Sequence, residues 1–145
     1  MATNFFPYQS AKRDLTSQYG ASASRNAYAQ FLARTRGNRK ITDVKEQYGR
    51  QFPGFVSNYQ QRGLAGPGVQ SGIYQQALSD FAKRQFTDVN TVQQGINDEI
   101  NNLRMQQQNA EALYKQQLAE LELQKARDIA NQAALLNSFK PFIGG

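Results

Sequence analysis

The chain has 145 residues, 39% of them apolar, and carries 17 Lys and Arg against 11 Asp and Glu, a net charge of +6. It contains no Cys, no His and no Trp, which excludes zinc and copper sites built on His or Cys, nucleophile pairs that need His, and any disulfide framework. No enzyme class and no cofactor is called for, and no apolar run approaches the ~18 residues of a membrane-spanning helix.

Gln and Asn are abundant, 20 and 11 by count. So polar a chain cannot bury a large core of its own, and core borrowed from other chains is expected. Charge is divided unevenly. Residues 1–70 carry ten basic and three acidic residues, a net +7, while residues 71–145 carry seven and eight, a net −1. Such asymmetry speaks to partners more than to fold.

The start, MATNFFPYQSAKRD, lacks the apolar core of a signal peptide. Residues 1–9 read as an extended arm, because Pro7 biases Phe6 away from the helical region. Its aromatic residues Phe5 and Phe6 suit an anchor on a neighbour, with folding back on the same chain as the alternative. A helix is predicted over 10–35, with Leu15, Tyr19, Ala23, Ala27, Tyr28, Phe31 and Leu32 near one face. Gly37-Asn38 is expected to end it, with Arg34 and Arg36 in the last turn where the dipole favours cations. A short helix follows over 43–51. Asp43 and Glu46 have the spacing of a capping box there, and Pro53-Gly54 stops it. Residues 62–72, RGLAGPGVQSG, hold four glycines and a proline, which reads as a loop or hinge without regular structure.

A long helix then begins, with Ser71 as its N-cap, and runs to about 138 without a proline. A continuous helix of that length would span about 100 Å, so it needs partners or must fold back on itself. Phe86, Val89, Val92, Ile96, Ile100 and Leu103 step by three and four, and Ala110, Leu113, Tyr114, Leu118 and Leu121 continue the stripe. Heptad frames fit on either side of a four-residue step from Ile96 to Ile100, a stutter. Gln107 and Gln117 fall on the stripe as polar register-setting positions, unless the helix breaks at Gln106-Gln107-Gln108 into a hairpin. The tail SFKPFIGG carries Phe139 and Phe142 as a second aromatic anchor.

The expected architecture is therefore all-α: an extended N-terminal arm, one or two short helices, a Gly/Pro loop, then a long coiled-coil-like helix, with a helical hairpin as the alternative. The segments are a basic N-terminal helical region over 1–61, the loop over 62–72, the long helix over 73–138 and the aromatic tail over 139–145. The expected oligomer or partner interface is Phe86, Val89, Val92, Ile96, Ile100, Leu103, Leu113, Tyr114, Leu118 and Leu121.

Little else carries chemistry. The glycines of 62–72 lack the Lys-Ser/Thr of a phosphate loop. Asp98 and Glu99 point about 100° apart on a helix and do not converge. Arg34, Arg36, Arg39 and Lys40 are four charges within seven residues, and they are the candidate for non-specific DNA contact through phosphates. An acidic protein surface is the alternative partner for them.

The stretch FLARTRGNRKITDVKEQYGRQFPGFVSNYQQRGLAGPGVQSG (31–72), the Gln-rich helix after it and the terminal FIGG resemble small virion-associated proteins encoded among the structural genes of tailed bacteriophages. The resemblance covers most of the chain and includes no catalytic signature. It implies a homo-oligomeric virion component of the neck, tail or portal-internal core, made in the bacterial host cytoplasm. Its partners would be copies of itself and other virion proteins. A nucleic-acid-binding accessory protein and a transient scaffolding protein are the alternatives.

Overall fold

The computed structural model describes residues 6–143, with side chains described for 7–68 and 71–138. The chain is all-α apart from one small ribbon. Helix α1 spans Phe6–Gln61 and α2 spans Gly72–Ile143, 56 and 72 residues long. Between them lie two two-residue strands, β1 (Ala65–Gly66) and β2 (Val69–Gln70). The chain divides into two compact units. One is residues 28–103, which holds the second part of α1, the ribbon and the first part of α2. The other joins residues 1–27 to residues 104–145.

Within residues 28–103 the two helices run antiparallel, because Tyr59 meets Tyr74, Tyr48 meets Phe81, and Ala33 packs with Ile96 and Ile100. The turn between them is closed by local chemistry. Gly63 follows the end of α1 with φ +71°. Its N–H donates to the carbonyl of Gln60, and that of Leu64 donates to Tyr59, both at 3.0 Å. This is the Schellman arrangement that satisfies the last carbonyls of a helix. The strands pair antiparallel, Ala65 with Gln70 and Gly66 with Val69. Pro67-Gly68 forms the tip, and Gly68 has the φ of +78° that a type II turn needs after proline. Ser71 caps α2 where the sequence places it, its Oγ accepting from the N–H of Tyr74 at 3.1 Å. The loop expected over 62–72 thus contains a minimal β ladder rather than irregular chain.

Several expected breaks are absent. The one or two short helices are a single helix, α1, which passes through Gly37-Asn38, Asp43 and Pro53-Gly54. Gly37 is buried, and a Cβ built on it would overlap the Ile96 side chain. The glycine is there for close approach of α2, and tertiary packing overrides its low helix propensity. Glu46 is mid-helix, reaching Arg50 at 3.4 Å instead of closing a capping box. Pro53 lies on the exposed side of α1 and costs about 3 kcal/mol of helix propensity. Tyr48, Phe55 and Tyr59, on either side of it, pack into one aromatic cluster that holds the helix through the defect.

The arm expected over 1–9 is not seen over its described part. Residues 6–9 are the first turn of α1, where the missing N–H of Pro7 would have no helical acceptor anyway, and residues 1–5 lie outside the described residues. Helix α2 continues through Gln106–Gln108 without folding back, and runs to Ile143, past the boundary expected at 138.

Burial recurs every 11 residues along both helices. In the unit of residues 28–103, α1 hides Ala33, Val44 and Phe55, and also Gly37, Tyr48 and Tyr59. There α2 hides Leu78, Val89 and Ile100, and also Phe81, Val92 and Leu103. In the other unit the same step links Tyr8 to Tyr19, Leu15 to Asn26, Gln107 to Leu118, and Tyr114 to Lys125. Eleven residues in three turns is ~3.67 per turn, close to the 3.6 of an unstrained helix. The step from Ile96 to Ile100 is therefore one instance of a recurring 3-4-4 spacing rather than an isolated stutter. Gln117 is exposed, and Leu118 takes the hidden position.

Candidate partner-binding surfaces

Each unit hides little. The buried hydrophobic residues are Ala33, Ala65, Ile96 and Ile100, with no buried polar residue among the described ones. Ile41, Val92 and Leu103 pack against the Ala33, Ile96 and Ile100 cluster. The chain leaves 11043 Å² accessible.

The expected interface residues separate accordingly. Ile96 and Ile100 are buried against Ala33 of the same chain, and Val89, Val92, Leu103, Leu118 and Leu121 are half-buried. The structure seats this part of the stripe on α1. Two members stand apart: Phe86 is 70% exposed and Leu113 is 54% exposed. In the unit of residues 28–103, Tyr28, Phe31, Phe52 and Ile73 are also exposed. Tyr28 and Phe31 lie on the side of α1 away from Ala33 and Gly37, by the 100° step of a helix. In the other unit the exposed large apolar residues are Met105, Leu113, Leu123, Ile129, Leu135 and Leu136. The expected anchors Phe5, Phe6, Phe139 and Phe142 lie outside the described side chains.

The region near the turn is aromatic. Phe81 stands at the centre, 5.0 Å from the ring of Phe55, 5.4 Å from Tyr48 and 5.7 Å from Phe52. Tyr59 continues the cluster to Tyr74 at 5.6 Å, and the Arg62 guanidinium lies 5.9 Å over the Tyr59 ring. The Tyr48 hydroxyl donates to Asp88 Oδ2. That hydrogen bond raises the Tyr48 phenol above its ordinary range, with burial and the Asp88 charge acting in the same direction and Arg84 opposing them.

The unit of residues 1–27 and 104–145 has a polar layer instead. The rings of Tyr19 and Tyr114 stack at 4.6 Å, with 10° between their planes. Thr16 donates its one hydroxyl proton to the carbonyl of Lys12, so the 3.0 Å contact between Thr16 Oγ1 and the Tyr114 hydroxyl has Tyr114 as donor. Gln107 Nε2 donates to the Tyr19 hydroxyl at 3.2 Å, while Gln107 Oε1 is buried without a partner.

The four basic residues do not form one patch. Arg36 and Lys40 share a groove with Thr91, Gly95 and Glu99. Arg34 points to the opposite flank of α1 and Arg39 to its outer side, by helix geometry. All four are exposed. Pairing of the helices also cancels the charge asymmetry of the sequence. Residues 28–103 hold nine basic and six acidic residues, and the other unit holds eight and five, so each carries +3.

No family model, no curated protein and no solved structure matches the chain. No described helix is long and apolar enough to cross a membrane.

The aromatic cluster and the Tyr19–Tyr114 stack were missed in the sequence, as was the role of α1 as the partner of the stripe. A signal for them exists. Ile41, Val44, Tyr48, Phe52, Phe55 and Tyr59 already carry the 3-4-4 spacing across Pro53.

Proposed function

We propose that the protein is a non-catalytic structural component of a tailed bacteriophage particle. It works as a homo-oligomeric helical element of the neck, tail or portal-internal assembly. The observation that carries the assembly role is the small core: four buried apolar residues among the described ones, against Tyr28, Phe31, Phe86, Leu113 and Met105 all more than half exposed. Tyr28 and Phe31, three residues apart on one side of α1, are the kind of exposed apolar pair that an association site uses. The 11-residue burial period supports coiled-coil-like pairing of the helices, a geometry that stacks readily into larger bundles. The phage setting rests on the resemblance of residues 31–72 and the Gln-rich helix.

The test has two parts. Sedimentation or native mass measurement of the purified protein should give a multiple of 16.3 kDa, and a stable monomer at all concentrations would sink the assembly reading. Purified particles should contain the protein in fixed stoichiometry. Its presence in immature particles alone would favour a scaffolding protein.

A nucleic-acid-binding accessory role draws on the exposure of Arg34, Arg36, Arg39 and Lys40. Their spread over three sides of α1 and the even charge of the two units weigh against it. Duplex binding that falls steeply with salt, and that is lost when the four become Ala, would restore it.

A further inference from the structure

The groove that Arg36 and Lys40 share with Glu99 lies wholly within the unit of residues 28–103. Its floor is the edge of the small core, at Ala33, Val92 and Ile96. The α1 wall carries Arg36 and Lys40, and the α2 wall carries Gly95 and Glu99. All four wall residues are exposed. Among the described residues, neither cation forms an ion pair with Glu99 or with any other carboxylate. Opposite charges thus stand on the two sides of an open groove without meeting. Gly95 adds a separate observation. A Cβ built on it would meet nothing within the chain, so no internal contact requires this glycine, unlike Gly37.

We infer that a second copy of this chain covers this groove, with its own groove turned to face it. The inference rests on the homo-oligomeric reading above and assigns it a surface. Two copies can meet there about a two-fold axis in two ways. With the axis across the helices, α1 lies over α1, and Arg36 and Lys40 meet their own copies. With the axis along the helices, α1 of each copy lies over α2 of the other, and all four helices have antiparallel neighbours, as in a four-helix bundle. The levels then match. Ile96 stands level with Gly37, so Glu99, three residues on in the antiparallel helix, is level with position 34. That is two residues, ~3 Å along the axis, from Arg36. Gly95 is level with position 38, between Arg36 and Lys40, and leaves room for both side chains. The lengthwise axis therefore sets the cations of each copy beside the carboxylate of the other, at two equivalent places. Like charges set together are costly and opposite ones fix orientation, so the charge pattern selects this arrangement over the crosswise one.

Charge exchange tests this pairing. Arg36→Glu with Lys40→Glu makes the groove all acidic, and Glu99→Arg makes it all basic. Each variant alone should sediment at a lower mass than the wild type at one fixed concentration, its association weakened by at least about tenfold. Mixed in equal amounts, the two should regain the wild-type mass, because every lengthwise contact is again between opposite charges. Arg34→Glu with Arg39→Glu, the same change of charge on other sides of α1, should keep the wild-type mass. Gly95→Leu, which fills space left empty within the chain, should lower it. Helix content by circular dichroism should be the same throughout. If both groove variants keep the wild-type mass, or if their mixture fails to regain it, this site is overturned while the assembly reading stands. A wild-type monomer would overturn both.

Discussion

Gly37 and Ile96 share one space: the Ile96 side chain fills the volume where a Cβ on residue 37 would stand. This contact explains why a glycine placed as a helix terminator lies mid-helix. It also sets an unusual expectation for substitution. Gly37→Ala should destabilise the chain by about 1–2 kcal/mol through overpacking, although Ala is the better helix former by about 1 kcal/mol. Gly20, with open space around it, should show the opposite sign, and Gly20→Ala should gain up to about 1 kcal/mol. Urea unfolding at one fixed protein concentration compares the two. Combining Gly37→Ala with Ile96→Ala should cost less than the sum of the two single losses, because the two residues are directly coupled.

Ile100 and Phe86 were placed on one stripe by spacing, but burial separates them. Ile100→Ala should cost about 2–4 kcal/mol, since it opens a cavity beside Ala33 and Ile96. Phe86→Ala should change monomer stability by less than about 0.5 kcal/mol. Thermal melts would reverse this ranking if Phe86 and not Ile100 faced the helix partner.

The orphaned Oε1 of Gln107 makes the Tyr19–Tyr114 layer a point of low stability. Gln107→Met removes a buried acceptor that has no partner, at the loss of one hydrogen bond to Tyr19. The first effect is worth about 1–3 kcal/mol and the second about 1 kcal/mol. The variant should therefore be neutral or up to about 2 kcal/mol more stable. Tyr114→Phe, which keeps the stacked ring and loses only its donation to Thr16, should cost about 1 kcal/mol or less. Unfolding midpoints of the two variants measured side by side should fall on opposite sides of the wild type, or nearly so.

Tyr48 ties the aromatic cluster to pH. Its phenol is raised because it donates to the Asp88 carboxylate, so the protonated form is favoured in the folded chain. The stabilisation is fully present below the ordinary phenol value of 10.0 and is lost as pH rises through the raised folded value. The Tyr48 phenol should ionise late in an ultraviolet titration of the folded protein. Asp88→Asn should bring that group back toward its ordinary range, because the charge that opposes phenolate is gone. An unchanged titration in the variant would show that Asp88 does not hold the proton.

The sequence by itself determined the helical class, the interruption of helix over 62–72 and the start of α2. These depend on local chemistry: glycines that reach positive φ, a proline at the tip of a turn, and Ser71 at a cap. It also determined that α2 would carry a stripe, because spacing on one helix is a property of that helix alone. Only the tertiary structure decided what the stripe faces. The partner of Ile96 is Ala33, more than sixty residues away, and a three-and-four spacing on one helix does not say which helix will lie beside it. The same pairing turned Gly37 from a stop into a point of close approach and carried α1 through Pro53, because burial of Tyr48, Phe55 and Tyr59 outweighs local propensity. It also spread a charge of +7 and −1 into two equal shares, since antiparallel pairing sets the basic half of the chain beside the other half.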